Sequence, residues 1–373
     1  MANTYASPGW TRRDVLGMLG MGAAAAVLPD VLFAAPPVFP KGAVIRTLLK
    51  DYPPEELAGG ATLFHEHMSS PPDFLQRFRR YTEETRAANG LPPLPPATIA
   101  PPTPGPYFMQ DLDLMVDELS IAKREGIGCI VDGGHPDMGQ DINFLRQVSL
   151  KSGLPIVAGA GFYTQPFYPK EIGAMSEEQI AQALVKQVES DQAGVFGEIG
   201  SWDESTRDER KVFRAIGRAH RATNLSIFTH TGIPGKSALE QLDILEDAGV
   251  DPRRVAIGHL GNLVDPLVQV HKAICRRGAF VGFDRQGGPG DAQQVPLVMA
   301  LLEAGFADNL LFSSDFANAA LLKRNNPAMG YAKTLTVFVP KLKAAGANDD
   351  VLRQIMMDNP RRFLAFVPKK PRR

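Results

Sequence analysis

The 373-residue chain has only two cysteines, Cys129 and Cys275. Both stand in apolar contexts, one strand-like and one helical, so they read as buried thiols and no disulfide framework is indicated. Net charge is nearly absent too: 40 Lys and Arg oppose 41 Asp and Glu, leaving −1. Bulk electrostatics therefore argues against a nucleic-acid partner and leaves room only for a local basic patch. No Gly-x-Gly-x-x-Gly opens a helix after an early strand, so a dinucleotide site has no support. The apolar stretch from Gly17 to Leu28 is short, interrupted by glycines and closed by Pro29 and Asp30, which makes it a poor membrane span. What remains is an ordinary globular composition, 44% hydrophobic and 22% charged.

The N-terminus differs from the rest. Thr11-Arg12-Arg13-Asp14-Val15-Leu16 precedes the mild apolar segment, and this pairing resembles a twin-arginine export signal. An ordinary amphipathic helix is the alternative. The expected organisation is a signal over residues 1–35, with cleavage near Ala34 or Ala35, and a single domain over 36–373. The mature protein would then be periplasmic or otherwise exported, with no stable membrane insertion. Twin-arginine export carries folded proteins, often with a cofactor inserted, which suits a metalloenzyme.

Beyond Lys41 a rhythm develops. Candidate strands are Ala61–His67, Cys129–Asp132, Ile156–Ala160, Val195–Glu198, Ser226–His230, Val255–His259, Ala279–Asp284 and Leu310–Asp315. Helical patterns lie between them, among them Glu177–Ser190, Glu209–Thr223, Ser237–Ala248 and Pro266–Arg277. Short apolar strands alternating with helices indicate a parallel sheet covered by helices, and eight such units predict a closed α/β barrel of the (β/α)8, or TIM, type. A doubly wound open sheet is the runner-up. Residues 68–110 break the rhythm, and Leu91–Pro106 within them is proline-rich, which disfavours helix interiors and central strands. This insertion is expected to drape over the barrel mouth, with a short helix around Phe74–Ala88.

Six potential metal ligands fall at predicted strand ends: His65 and His67, Glu198, His230, His259 and Asp315. In a barrel those C-terminal ends form the active face. Positions 198 and 230 are 32 residues apart, and 230 and 259 are 29 apart, one βα unit each; 259 and 315 are 56 apart, about two units. Residues separated by whole units reach the same barrel height. His65 and His67, two apart on a strand, can face the interior together and clamp one divalent ion. His230 and His259 serve a second, and the Glu198 carboxylate can bridge both. Asp315 can bind one ion and accept the proton of a bridging water, whose hydroxide attacks the substrate. Any one of these histidines could instead be a hydrogen-bonded core residue. Of the others, His220 and His271 lie in helical patterns and are expected to be exposed. His135 follows the second strand at the mouth, where it touches substrate or serves the loop.

The segments Gly60-Ala61-Thr62-Leu63-Phe64-His65-Glu66-His67, Gly197-Glu198-Ile199-Gly200, Thr229-His230-Thr231-Gly232, Ile257-Gly258-His259 and Ser313-Ser314-Asp315 resemble the phosphotriesterase-like proteins of the amidohydrolase superfamily. Asp358-Asn359-Pro360-Arg361-Arg362-Phe363 is similar to that family's terminal helix. The resemblance runs from about residue 44 to 367. It implies a (β/α)8 barrel binding two divalent ions, commonly zinc, with manganese, cobalt or iron as alternatives. Many members bridge the ions with a carbamylated lysine where this chain has Glu198, as in a subgroup of homologues. Members strong on phosphotriesters carry an aspartate where this chain has Asn262, and Gly139-Gln140-Asp141 replaces a common Gly-Arg-Asp. Gly161-Phe162-Tyr163 and Phe283-Asp284-Arg285 resemble lactonase segments, which implies that Tyr163 binds a substrate oxygen and Arg285 orders the mouth. Phe162 and Trp202, near strand ends, are candidates to line an apolar pocket.

The expected activity is metal-dependent hydrolysis of a small-molecule lactone or other carboxylic ester, with weak action on phosphotriesters. A phosphotriesterase proper and an exported metal- or ligand-binding barrel with little turnover are the alternatives, and a homodimer is left open. The export reading has its own test. Replacing Arg12 and Arg13 by Lys should trap the precursor in the cytoplasm, measured by fractionation; unchanged localisation rejects it.

Overall fold

The computed structural model describes residues 36–88, 90–94, 106–232, 237–263, 265 and 267–369. The region expected to be the export signal, most of the proline-rich stretch and Pro266 lie outside them. Eight strands run in parallel, each paired with its neighbour in chain order. They are β1 (Ala61–Glu66), β2 (Ile127–Asp132), β3 (Ile156–Ala160), β4 (Val195–Ser201), β5 (Ile227–Thr231), β6 (Val255–Ile257), β7 (Phe280–Phe283) and β8 (Leu310–Phe312). The eighth strand lies against the first, and the Asp315 N–H donates to the His65 carbonyl at 3.1 Å across that seam. The architecture is the expected (β/α)8 barrel.

Helices follow the strands where the sequence supplies caps. The helix Leu112–Arg124 starts at Asp111 and Ile142–Ser152 starts at Asp141, each aspartate accepting a first-turn N–H. Capping boxes start Glu177–Asp191, through Ser176 and Gln179, and Arg207–Thr223, through Thr206 and Glu209. Their apolar faces join the buried outer sides of the strands in one core layer. A second core fills the barrel itself, with Phe64, Val131, Val157, Val195, Phe228, Ala256 and Leu311. The barrel is thus packed below its mouth, and polar chemistry is confined to the upper end.

Two details differ from simple strand alternation. The ladder between β1 and β2 shifts register between Leu63 and Glu66, and that between β4 and β5 shifts between Phe196 and Ile199. Leu63 packs in the outer layer and Phe64 inside, so the shift lets His65 and His67 follow on the inner side. Gly133, at the end of β2, makes room for them: a Cβ there would sit 2.9 Å from the His65 ring.

Several sequence-based boundaries need correction. β6 stops at Ile257 and β8 at Phe312, so His259 and Asp315 stand beyond the strands, at φ of 61° and 46°. Positive φ belongs to turns rather than strands, and the backbone turns inward at both positions. His220 and His271 are buried, not exposed. His220 Nδ1 donates to the Leu225 carbonyl at 2.6 Å and His271 Nε2 to the Leu260 carbonyl at 2.9 Å, so each ring pins its helix to the following or preceding loop.

The insertion contains a helix, α1 (Phe74–Ala88), as expected. Phe74, Phe78 and Tyr81 recur at helical spacing and meet Tyr163, Phe167 and Trp202 from the barrel loops. The helix therefore lies over one side of the mouth.

Candidate metal centre

The structure brings all six candidate ligands to one point. Glu198 is its centre. Its Oε2 lies 2.8 Å from His230 Nδ1 and 3.4 Å from both His65 Nε2 and His259 Nε2, and its Oε1 lies 3.2 Å from His67 Nε2. Asp315 Oδ1 is 3.2 Å from His67 Nε2 and 3.8 Å from His65 Nε2, and its Oδ2 is 4.0 Å from His259 Nε2. His230 Nδ1 and His259 Nε2 are 2.8 Å apart.

These residues fit a metal pair. Nitrogen and oxygen ligands about 2.0–2.1 Å from a tetrahedral ion stand about 3.3 Å from one another, close to the spacings here. Two groups of donors, His65-His67-Glu198 and Glu198-His230-His259, each gather within 4.8 Å and share Glu198. Among the described residues the His65 Nε2 atom, buried and 3.4 Å from Glu198 Oε2, makes no well-formed hydrogen bond, which leaves it aimed into the cluster for another partner.

The electrostatics agree. Burial by itself raises a carboxyl pKa, but the charge of His65 and the hydrogen bonds of His230 and His259 outweigh it and hold Glu198 well below the carboxylate range. Asp315 is likewise held low against burial, by the His67 hydrogen bond and by His65 and Arg285. Burial lowers His67, yet its contacts with Asp315 and Glu198 raise it to about 10. Burial and the neighbouring His259 push His230 down to about 4. Anionic oxygens and imidazoles buried together compete for protons, and divalent cations are their alternative partner.

Two residues outside the six hold the geometry, and sequence reasoning gave neither this role. Asp284, at the end of β7, takes His65 Nδ1 on Oδ2 at 3.0 Å and His259 Nδ1 on Oδ1 at 2.9 Å, and also accepts the His259 backbone N–H. Both rings are thereby turned with Nε2 toward the centre, the carboxylate–histidine arrangement that orients metal ligands. Its position beside Arg285 was the one available signal. Glu66, between the two histidines, points away from them. It accepts from Ser313 Oγ and Ser314 N on Oε1, at 2.6 and 2.7 Å, and from Ser314 Oγ and Phe316 N on Oε2, at 2.7 and 2.9 Å. Those four bonds bracket Asp315 and hold its turn.

The other sequence candidates are placed as follows. Tyr163 is buried, with its hydroxyl 3.0 Å from His230 Nδ1. Arg285 Nε donates to Asp315 Oδ2 at 3.0 Å. His135 is fully buried, its Nδ1 3.1 Å from Asp137 Oδ1, while Asp137 Oδ2 accepts the Tyr163 N–H at 2.8 Å. His135 thus braces the loop that carries Tyr163. Phe162 packs edge-on to Tyr168, while Trp202 stacks on Phe78.

Residues 53–364 match the profile of the Phosphotriesterase family. The chain belongs to this family. Its relatives include the phosphotriesterase homology protein of Escherichia coli, 30% identical over 273 residues, which cover 69% of this chain and 92% of that one. The N-acetyltaurine hydrolase of Dictyostelium discoideum is 28% identical over 69% of this chain and 75% of its own length. The aryldialkylphosphatase of Saccharolobus solfataricus is 29% identical over 67% and 84%. Among solved structures, the lactonase Lmo2620 of Listeria monocytogenes superposes with a TM-score of 0.70 at 25% identity, covering 86% of this chain and 98% of that one. The family depends on a binuclear metal centre, and this chain offers donors for one.

The Glu66 clamp makes a prediction. Glu66→Gln puts an amide NH2 against two of the four donors and loosens Asp315. Displacements of about an ångström cost up to about 10²-fold in rate, so turnover should fall at least tenfold. In an Asp315→Asn background the same change should add less than about twofold, because the two residues act in series. Equal losses in both backgrounds would show that Glu66 serves stability alone.

Proposed function

We propose that this chain hydrolyses lactones or other carboxylic esters, using two divalent cations, zinc in our reading, held by His65, His67, Glu198, His230, His259 and Asp315. The observation that carries the reading is the single Glu198 carboxylate standing between two pairs of histidines. Bound there, the cations supply Lewis acidity that activates a water molecule and polarises the substrate's carbonyl oxygen.

The chain's own residues divide the remaining work. Glu198 contributes a permanent charge at the centre, with no lysine modification required. Asp284 fixes the ring orientation of His65 and His259. Asp315 takes the proton of the attacking water. Its side chain is 16% exposed, while none of the other five exceeds 7%, so it alone of the six combines a place in the cluster with a way for a proton to leave. Arg285, itself 25% exposed, keeps Asp315 ionised and lines the same entrance. The Tyr163 hydroxyl, now on His230, is in reach of a substrate oxygen brought to that ring. Weak action on phosphotriesters is compatible with the same centre, and the names of relatives support both ester and phosphoester chemistry. We read the Arg12-Arg13 segment as an export signal, which would put this activity outside the cytoplasm.

The test is metal analysis of the full chain together with turnover on a panel of lactones, aryl carboxylic esters, an aryl dialkyl phosphate and an N-acyl amide. Metal-dependent lactone or ester hydrolysis is expected to dominate; bound metal without turnover would favour a binding role. Asp315→Asn keeps the size and one oxygen, so metal should remain. Turnover should drop by about 10²-fold or more, the scale of losing a general base. Full activity of metal-loaded Asp315→Asn would leave the mechanism without its base.

A further inference from the structure

Asp315 meets two partners carried by different strands. Its Oδ1 faces His67, just past β1, and its Oδ2 accepts from Arg285, just past β7. One short segment beyond β8 touches the backbone of both strand ends. The Tyr331 hydroxyl donates to the His67 carbonyl at 2.8 Å, and two residues further on the Lys333 ammonium donates to the Gln286 carbonyl. Both side chains are buried. Tyr331 also stacks on Phe316, the residue after Asp315, with ring centroids 4.2 Å apart.

The tie at β7 is built for a lysine. The loop after β7 is held to its own helix, Asp291–Glu303, by Gln294 Nε2 on the Arg285 carbonyl at 3.0 Å and by the Gly287 N–H on Asp291 Oδ1 at 2.9 Å. Lys333 fastens the same stretch from 47 positions away. Gly287, at φ 76°, lets the lysine stem cross: a Cβ there would sit 2.7 Å from Lys333 Cγ. The Gln286 side chain is buried, yet neither of its amide atoms has a hydrogen-bond partner among the described residues, so its backbone carries the tie. A neutral donor would also serve a carbonyl, but the ammonium charge has a second use. Burial lowers the pKa of Lys333, and the charges of Glu66, Asp315 and Asp291 oppose that. In return Lys333 offsets part of the burial that raises Glu66, whose four bonds hold the Asp315 turn.

We propose that Tyr331 and Lys333 form a strut, a pair of positioning residues that fix His67 and Arg285 on either side of Asp315 and keep its two oxygens on separate partners. This rests on the reading of Asp315 as the base of an ester hydrolase. The strut removes no metal donor when it is cut, and Asp284 still orients His65 and His259. Its loss therefore acts on the proton-transfer step rather than on metal binding.

Two variants of the full metal-loaded chain test this. Lys333→Met keeps an apolar stem over Gly287 and removes the donor, and Tyr331→Phe removes one hydroxyl. Each should lower kcat about tenfold on the best lactone or ester, with KM changed by less than about twofold and metal content unchanged. In an Asp315→Asn background each should add less than about twofold. Hydrogen exchange read by mass spectrometry needs no turnover. Losing one charge-assisted hydrogen bond should speed exchange over residues 284–291 about tenfold in Lys333→Met, with residues 127–132 and 156–160 unchanged. Unchanged exchange over 284–291, faster exchange throughout the barrel, or full kcat in both variants overturns the strut. Faster exchange confined to 284–291, in a protein whose unmutated form hydrolyses no ester or lactone, keeps the strut and overturns the catalytic reading instead.

Discussion

Everything at the barrel mouth depends on keeping one carboxylate, that of Glu198, ionised where water does not reach it. A buried charge is costly unless it is paired and hydrogen-bonded. Here four imidazoles approach its two oxygens within 3.4 Å. Imidazoles answer the charge only if their nitrogens face it, and that requirement passes outward to the next residues. His65 and His259 are turned by one shared partner, Asp284, which is also fully buried and held low in pKa against burial by the same two rings. The site is thus a nested set of charges in which each layer fixes the orientation of the one inside it.

The seam of the barrel and the chemistry are built by the same atoms. β1 and β8 meet through the His65 carbonyl, which accepts the Asp315 N–H, and the His65 N–H, which donates to Ser313 Oγ. Glu66 adds its four bonds to the same segment. Closing the barrel therefore sets the distance from the His65-His67 pair to Asp315. A register slip of one residue along β1 would turn the histidines outward and withdraw Glu66 from the turn, so sheet register and site geometry stand or fall together.

Much of this was readable from sequence because a barrel is periodic. Whole-unit spacing from Glu198 to His230 and His259 needed only the repeat length, and the His-x-His pair needed only the alternation of a strand. The parts that were not readable are those set by long-range pairing. Glu66 and the serines it clamps are 247 positions apart, and Asp284 lies 219 from His65; no local pattern links them. His220 and His271 misled because a helical histidine surrounded by charged neighbours looks exposed, while its burial depends on which face the helix turns inward. The extended backbone expected at His259 and Asp315 failed for a similar reason: those chain ends bend toward a centre that only the folded barrel creates.

Among the described residues the mouth is unevenly covered, which gives the site a direction. Metal-cage residues must be dry, since water weakens every ion–imidazole contact by screening. A base that accepts a proton at every turnover must instead hand it on, and a fully enclosed carboxylate has nowhere to send it. The structure separates these demands in space: aromatic rings of α1 and the barrel loops seal the His230 side, while Asp315 and its partner Arg285 keep partial access to solvent. Arg285 helps hold Asp315 anionic without occupying the oxygen nearest His67, because its bond goes to Oδ2 and the His67 contact to Oδ1. One carboxylate can then face the centre with one oxygen and the solvent side with the other. On the proposed mechanism, that division, rather than the number of ligands, is what suits Asp315 to move protons.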